Sequence, residues 1–339
     1  MIKAAVVDWA VRSVGPGTRL TSVIRLPGWS PSPPFLLRLE GSRRSTYVVL
    51  RTEPIGRQRH DGFAREVQAL VLAEQHGLAA PRVIAADLDG TEAGDPATLV
   101  TTLPGSSSPR VRTVEQLRNY GATVASLRAA RAVPTGDLEL MAEPIDVDQA
   151  ARERRRAMAY ETATEAERSA QLDRHCARTG LTRDAAHADL VRPKSGRSEL
   201  LEAAEAYLNG IPSPVDETVL VHGDLHLGNT MWIGDHLIGM VDWDAARVGS
   251  NGIDLGLARF DAILHVNPRD VGLDASGIAD EVLAGWQHAT GVRLDRHVIS
   301  FWDLRAALNA PVDFGAPQDR QPERRDALVR SALNVLRYG

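Results

Sequence analysis

The chain has 339 residues, 43% of them hydrophobic, and a formal net charge of −5 at neutral pH. That apolar content argues against a largely disordered chain and suffices for two substantial lobes, each with its own core. The acidic balance gives no overall basic field, so nucleic-acid binding that relies on neutralising a polyphosphate is not expected. Cys176 is the only cysteine, which excludes an intrachain disulfide and a zinc site built on several thiolates, and it fits a reducing compartment. The opening apolar run breaks at Asp8 and Arg12, too early for a signal peptide or a membrane span, so a cytoplasmic protein with no membrane partner is expected. Lys3 and Lys194 are the only lysines, and arginine carries nearly all the positive charge.

In chain order, Ile2 to Val14 carries Val6, Val7, Ala10, Val11 and Val14 at helical spacing, and Gly15-Pro16-Gly17 ends the pattern. Short strands follow at Val23 to Leu26, Phe35 to Leu39 and Thr46 to Arg51, separated by turns rich in Gly, Pro and Ser, which predicts three antiparallel strands. A helix is expected from about Gly62 to Gly77, burying the face of Phe63, Val67, Leu70, Val71 and Glu74. Two more strands, Pro81 to Ala85 and Ala97 to Leu103, flank a polar turn. The segment Pro104-Gly105-Ser106-Ser107-Ser108-Pro109 then has the composition of a hinge or linker. Beyond it the chain reads as helical over Thr113 to Arg131 and across Asp146 to Arg178, and strand signals return only between Thr218 and Asp242. The expected fold class is α+β with two lobes: a sheet-rich lobe over 1–104 and a larger, mainly helical lobe over 105–339. The positive run Arg152 to Arg156 reads as a solvated helix face.

The segment Val221-His222-Gly223-Asp224-Leu225-His226-Leu227-Gly228-Asn229, followed by a hairpin and Val241-Asp242-Trp243-Asp244, carries the chemistry. Asp-x-x-x-x-Asn followed by Asp is the order in which protein kinases hold a hydroxyl and magnesium. Phosphoryl transfer asks mainly for placement of charge. Asp224 is expected to orient the acceptor hydroxyl and take its proton. Asn229 and Asp242 supply the hard oxygen ligands that magnesium prefers, and a turn at Gly234-Asp235-His236 brings their strand ends together. His222 and His226 stand four apart, as zinc-binding histidines do on a helix. Gly223, Gly228 and the strand context argue against that arrangement.

On these residues the chain resembles the aminoglycoside phosphotransferase family, which shares the protein-kinase-like fold with choline and homoserine kinases. The resemblance is specific over His222 to Asn229 and Val241 to Asp244, and it extends more weakly along most of the chain. It implies a bilobal kinase-like fold, ATP and Mg2+ as cofactors, and a small-molecule alcohol as acceptor. By position, Asp224 matches the catalytic base, Asn229 and Asp242 match the metal ligands, and Asp254 matches an aspartate that braces the catalytic loop through backbone hydrogen bonds. Asp244 has no role in this correspondence. Arg51, ending Tyr47-Val48-Val49-Leu50-Arg51, stands where the family places a phosphate-contacting lysine, with Glu66 as its helix partner. Arginine keeps the charge but changes the geometry, and an ordinary strand-to-helix salt bridge is the alternative. Ser30 and Ser32 lie in a proline-rich loop at the place of the phosphate-covering loop, where Pro31, Pro33 and Pro34 offer no N–H. Thr101 and Leu103 match the strand and hinge that meet adenine through the backbone. After Asp244, Gly249-Ser250-Asn251 departs from the Gly-Asp-Pro common in relatives.

The acceptor is expected to meet the helical region between about Glu143 and Asn209 and the carboxy-terminal helices. Exposed carboxylates there, among them Glu161, Glu165, Glu167, Asp261 and Asp303, suit a polycation or are simply an acidic surface. Trp286, Trp302 and Phe301 suit a stacking wall or a core. An aminoglycoside or other antibiotic and a small metabolite such as an amino sugar or amino alcohol both stand as acceptors. A nucleotide-binding scaffold with weakened catalysis is the rival of a different class. The sequence leaves ATP against GTP and the oligomeric state open.

Overall fold

The structure, a computed structural model, describes residues 2–26, 34–41, 45–53, 60–107, 110–141, 160, 163–179, 182–191, 198–309 and 322–339. Ser30, Ser32, Glu161 and the Arg152 to Arg156 run lie outside them. The chain packs as two units, Met1–Met141 with Val215–Arg293, and Ala142–Pro214 with Leu294–Gly339.

In the first unit, helix α1 (Ala4–Val14) precedes a five-stranded sheet of β1 (Arg19–Arg25), β2 (Phe35–Glu40), β3 (Ser45–Thr52), β4 (Val83–Asp87) and β5 (Ala97–Thr101). The strands run in the spatial order β1-β2-β3-β5-β4, and every pairing is antiparallel. Strand periodicity sorts the faces. Leu37, Leu39, Val48, Leu50 and Leu99 form a core with Val6, Trp9 and Ala10 of α1. Arg51, one residue beyond Leu50, therefore projects to the opposite face, where it meets helix α2 (His60–Gln75). The buried stripe of α2 is Phe63, Glu66, Ala69, Leu70 and Ala73, while Val71 and Glu74 are exposed. Both stripes fit a 3.6-residue period. The one that packs turns the small residues Ala69 and Ala73 inward and brings Glu66 with them.

The segment expected to be a hinge is tied down at its described end. Ser106 and Trp232 exchange backbone hydrogen bonds of 3.0 and 2.9 Å, so the chain leaves the sheet along β7 (Thr230–Ile233). Strand β7 forms a hairpin with β8 (His236–Met240), and β6 (Thr218–Val221) pairs with β9 (Arg247–Ser250). The last strand lies past the expected strand region. Ser250 and Asn251 are tied into the fold by their side chains. Asn251 accepts from the Trp286 indole at 2.7 Å and donates to the Val124 carbonyl at 3.2 Å, and Ser250 donates to Asp216 at 3.0 Å.

Around these strands pack α3 (Val114–Ser126), α7 (Gly252–His265), the short α8 (Pro268–Val271) and α9 (Ala275–Thr290). Gly121 of α3 and Gly285 of α9 let the two backbones touch, because a Cβ at either would strike a carbonyl of the partner helix. The second unit contains α4 (Glu165–Thr179), α5 (Arg183–Val191), α6 (Glu199–Asn209), α10 (Arg296–Asn309) and α11 (Pro322–Tyr338). There the Tyr207 hydroxyl of α6 donates to the Leu336 carbonyl at 2.6 Å, and Arg337 lies over the Tyr207 ring. Among the described residues no helix is long and apolar enough to cross a membrane.

The expectation of exposed carboxylates is corrected for two of them, and of the two readings of the aromatic residues the core is the one observed. Asp261 and Asp303 are buried, as are Trp286, Trp302 and Phe301. Asp261 lies on α7 and Asp303, Trp302 and Phe301 on α10, helices buried on nearly every side, and Trp286 lies on the buried face of α9.

Candidate active site

Strand β6 delivers the chain to His222, whose ring is buried and packed on Trp243 with centroids 4.7 Å apart. His222 Nε2 lies 3.0 Å from the Val241 carbonyl, which fixes the proton on that nitrogen, and burial pushes the ring down to about 4. The ring is thus a neutral structural tie between the Asp224 loop and the Asp242 loop. It is not placed as a metal ligand. Gly223 has a φ of 79°, and a Cβ there would meet the Ala245 carbonyl oxygen, so both the conformation and the space require glycine. Asp254 of α7 accepts from the His222 N–H at 2.7 Å and the Gly223 N–H at 3.0 Å. Burial pushes its carboxyl up to about 7 against the pull of these two donors.

Asp224 follows, its side chain about half exposed at 54%. Partial burial raises its carboxyl, and Asp242 and Asp244 add to the rise, while His226 and Asn229 oppose it. Asn229 sits at the end of a short turn over Leu227–Asn229. Its amide nitrogen donates to the Asp224 carbonyl at 2.9 Å and approaches Asp224 Oδ2 at 3.3 Å. That leaves the Asn229 side-chain oxygen as the free acceptor of the pair. The Val241 N–H donates to the Asn229 carbonyl at 2.9 Å, so the hairpin delivers Asp242 beside Asn229.

Asp242 adopts a φ of 66°, the one left-handed conformation among the described non-glycine residues. Such a conformation costs free energy and persists only where its surroundings enforce it. Here they are ionic. Arg51 Nη1 lies 2.9 Å from both Glu66 Oε1 and Asp242 Oδ1, and Arg51 Nη2 lies 2.9 Å from Asp244 Oδ2. One guanidinium fork thus joins α2 to the loop after β8 through three carboxylates, a geometry a lysine ammonium cannot match. Arg65 adds a bond to the Asp244 carbonyl at 3.0 Å. Burial raises the carboxyls of Glu66 and Asp242, and Arg51 draws both down.

The structure therefore gathers Asp224, Asn229, Asp242, Arg51 and Glu66 into one connected set. Thr101 and Leu103 stand apart from it at the end of β5. The Thr101 N–H donates to the Arg82 carbonyl at 2.9 Å, its hydroxyl accepts from the Arg82 N–H at 2.9 Å, and Leu103 packs against Gly239. Sequence reasoning missed Asp244. The available signal was its spacing of two from Asp242, a second carboxylate within reach of the same cation.

The sequence model of the APH phosphotransferase enzyme family matches residues 26–292. No curated protein matches the chain in sequence. Among solved structures, a Ralstonia eutropha protein provisionally named an aminoglycoside phosphotransferase superposes with a TM-score of 0.58 at 14% identity, covering 99% of this chain and 98% of its own. Macrolide 2′-phosphotransferase MphH from Brachybacterium faecium gives 0.56 at 15% identity, covering 99% of each chain. Aminoglycoside phosphotransferase APH(3″)-Id from Streptomyces rimosus, in complex with ADP and streptomycin, gives 0.51 at 16% identity, covering 92% of this chain and 100% of its own. The fold is that of the aminoglycoside phosphotransferase kinases, and the chain belongs to their family of small-molecule phosphotransferases.

Proposed function

We propose that the protein transfers the γ-phosphoryl group of ATP to a hydroxyl of a small molecule in a magnesium-dependent reaction, in the cytoplasm. The observation that carries this reading is the linkage of Asp224, Asn229 and Asp242 through the Asn229 amide and the Val241–Asn229 bond. The donor set fits magnesium: the Asn229 amide oxygen is left over once its nitrogen has turned to Asp224, and carboxylate oxygens of Asp242 complete a hard-oxygen pair. When bound, magnesium would neutralise developing charge on the phosphate oxygens.

The remaining roles belong to side chains of the chain. Asp224 accepts the hydrogen bond of the acceptor hydroxyl, aligns its oxygen with the phosphorus and takes the proton as the new bond forms. Its raised carboxyl improves it as a proton acceptor near neutral pH. Arg51, anchored by Glu66, turns its fork to phosphate oxygens, which it binds in the same bidentate manner as a carboxylate. Thr101 and Leu103 meet the adenine ring through their backbones, and Ser30 and Ser32 offer hydroxyls to the phosphates. The functional lobes divide at 104/105, with the nucleotide held by the first.

Aminoglycoside, macrolide and other antibiotic alcohols lead the acceptor classes, because solved relatives of this fold are named for them. Amino sugars and amino alcohols follow. The scaffold reading has one observation in its favour, the commitment of Arg51 to Asp242 and Asp244. Magnesium-dependent ATP consumption across a panel of these compounds, with product mass as readout, tests the proposal. One product heavier by a phosphate supports it and names the acceptor class. Nucleotide binding without any phosphorylated product across the panel favours the scaffold.

A further inference from the structure

Helix α7 carries two buried aspartates seven residues apart, Asp254 and Asp261, which places them on one face two turns from each other. Asp254 grips the backbone just before Asp224. Asp261 reaches the same loop further on, where its Oδ2 accepts from the Leu227 N–H at 2.8 Å. Leu227 opens the turn that ends in Asn229, and its carbonyl accepts from the Thr230 hydroxyl at 2.7 Å, so both backbone groups of this residue are held. The other oxygen of Asp261 faces His265 Nδ1 at 2.7 Å, one helical turn on, and the His265 side chain is 44% exposed. Tyr120 of α3 is buried close by. Its phenol is pushed well up, first by burial and then by Asp261 and Asp254, so it stays neutral.

A buried carboxylate is costly unless hydrogen bonds hold its charge, and both oxygens of Asp261 are engaged. A neutral side chain would satisfy one N–H at smaller cost. What a carboxylate adds is a stronger and more directional hold on Leu227, two residues before the amide assigned to magnesium.

We propose that Asp261 is a positioning residue for Asn229: through the Leu227 N–H it fixes the turn from which the Asn229 amide oxygen reaches the metal. Asp254 and Asp261 then divide the loop, one setting Asp224 and the other Asn229. The inference rests on the assignment of Asn229 as a magnesium ligand. Partners that orient a ligand rather than touch the metal commonly govern affinity by about 10–100-fold.

The test is Mn2+ binding to the full chain with the non-hydrolysable ATP analogue AMP-PNP, followed by electron paramagnetic resonance. Wild type is compared with Asn229→Ala, Asp261→Leu and Asp261→Asn, and folding is verified by circular dichroism and thermal melting. Asp261→Leu is expected to weaken Mn2+ binding about tenfold or more, while Asp261→Asn, which keeps an oxygen for Leu227, recovers to within about threefold of wild type. A folded Asp261→Leu with wild-type Mn2+ affinity, beside a weakened Asn229→Ala, overturns the positioning role and leaves the metal assignment standing. Wild-type affinity in Asn229→Ala overturns the metal assignment and this inference with it. Should Asp261→Leu fail to fold, Asp261→Glu, which displaces the carboxylate by one methylene, takes its place. Weakened binding in that variant supports the proposal, and unchanged binding overturns it.

Discussion

Arg51→Met removes the cation shared by three carboxylates while keeping an unbranched side chain in the same space. Glu66, its side chain only 6% exposed, loses the 2.9 Å partner of its Oε1. Taking one member from a buried ion pair costs about 3–5 kcal/mol, because the remaining charge is stranded. Asp242 and Asp244 are more open to water, and each loses no more than about 1 kcal/mol. The stability of a natural fold is on the order of 5–15 kcal/mol, so the change is a large fraction of the whole. At about 2–4 °C per kcal/mol the melting temperature should fall by roughly 6–20 °C. Glu66→Leu alone should cost less, since Arg51 retains Asp242 and Asp244. The double variant Arg51→Met/Glu66→Leu should recover most of the loss, because an apolar pair of similar volume replaces a buried ionic one at little or no cost. The sign with pH follows from Glu66, whose carboxyl burial already raises. A group raised in the fold contributes stability at low pH and loses it as pH rises, so the Arg51→Met deficit should grow from pH 5 to pH 8. Thermal and urea melts of the four proteins at both pH values give the coupling energy directly. Additive single-variant effects, or an Arg51→Met protein within 1 kcal/mol of wild type at pH 8, would refute the reasoning.

Three further outcomes are expected. Asp254→Ala orphans the His222 and Gly223 N–H groups, at about 1–3 kcal/mol each, and should lower turnover more than nucleotide affinity, as read by steady-state kinetics and calorimetry. The His222 ring, pushed from an ordinary 6.5 down to about 4 by burial, contributes stability present above pH 6.5 and lost as pH falls toward 4. That loss amounts to about 3 kcal/mol, and His222→Gln should flatten this part of an acid titration followed by denaturant melts. Gly121→Ala should cost more than about 3 kcal/mol in a urea melt, since its Cβ would meet the Val282 carbonyl and backbone cannot step aside as a side chain can.

Local patterns in the sequence made most of the fold legible. The leading helix, the strands that became β1 to β5, helix α2 and the β7–β8 hairpin follow from periodicity and turn residues, which are properties of neighbours in the chain. Strand β9 was missed because Arg247–Ser250 is short and rich in small residues, and only pairing with β6 makes it a strand. The buried stripe of α2 was rotated by one position, because 63-66-70-73 and 63-67-70-74 fit the helical period equally well and the facing sheet decides between them. At the site, the spacing of Asp224, Asn229 and Asp242 pointed to one chemistry. The attachment of Arg51 to Asp242 and Asp244, residues nearly two hundred positions away, is a tertiary fact with no local signature. Asp261 looked like surface because aspartate usually is. The i, i+7 relation to Asp254 on α7 was the available sign that it shares a buried face.

The central claim is that Asp224 takes the acceptor proton during phosphoryl transfer. Single-turnover transfer from γ-labelled ATP with magnesium, run on wild type and Asp224→Asn with an acceptor identified from the panel, tests it when ATP affinity is measured on the same samples. The account predicts that Asp224→Asn retains ATP affinity and loses transfer by a factor on the order of 100 or more. Transfer by Asp224→Asn at the wild-type rate would contradict it.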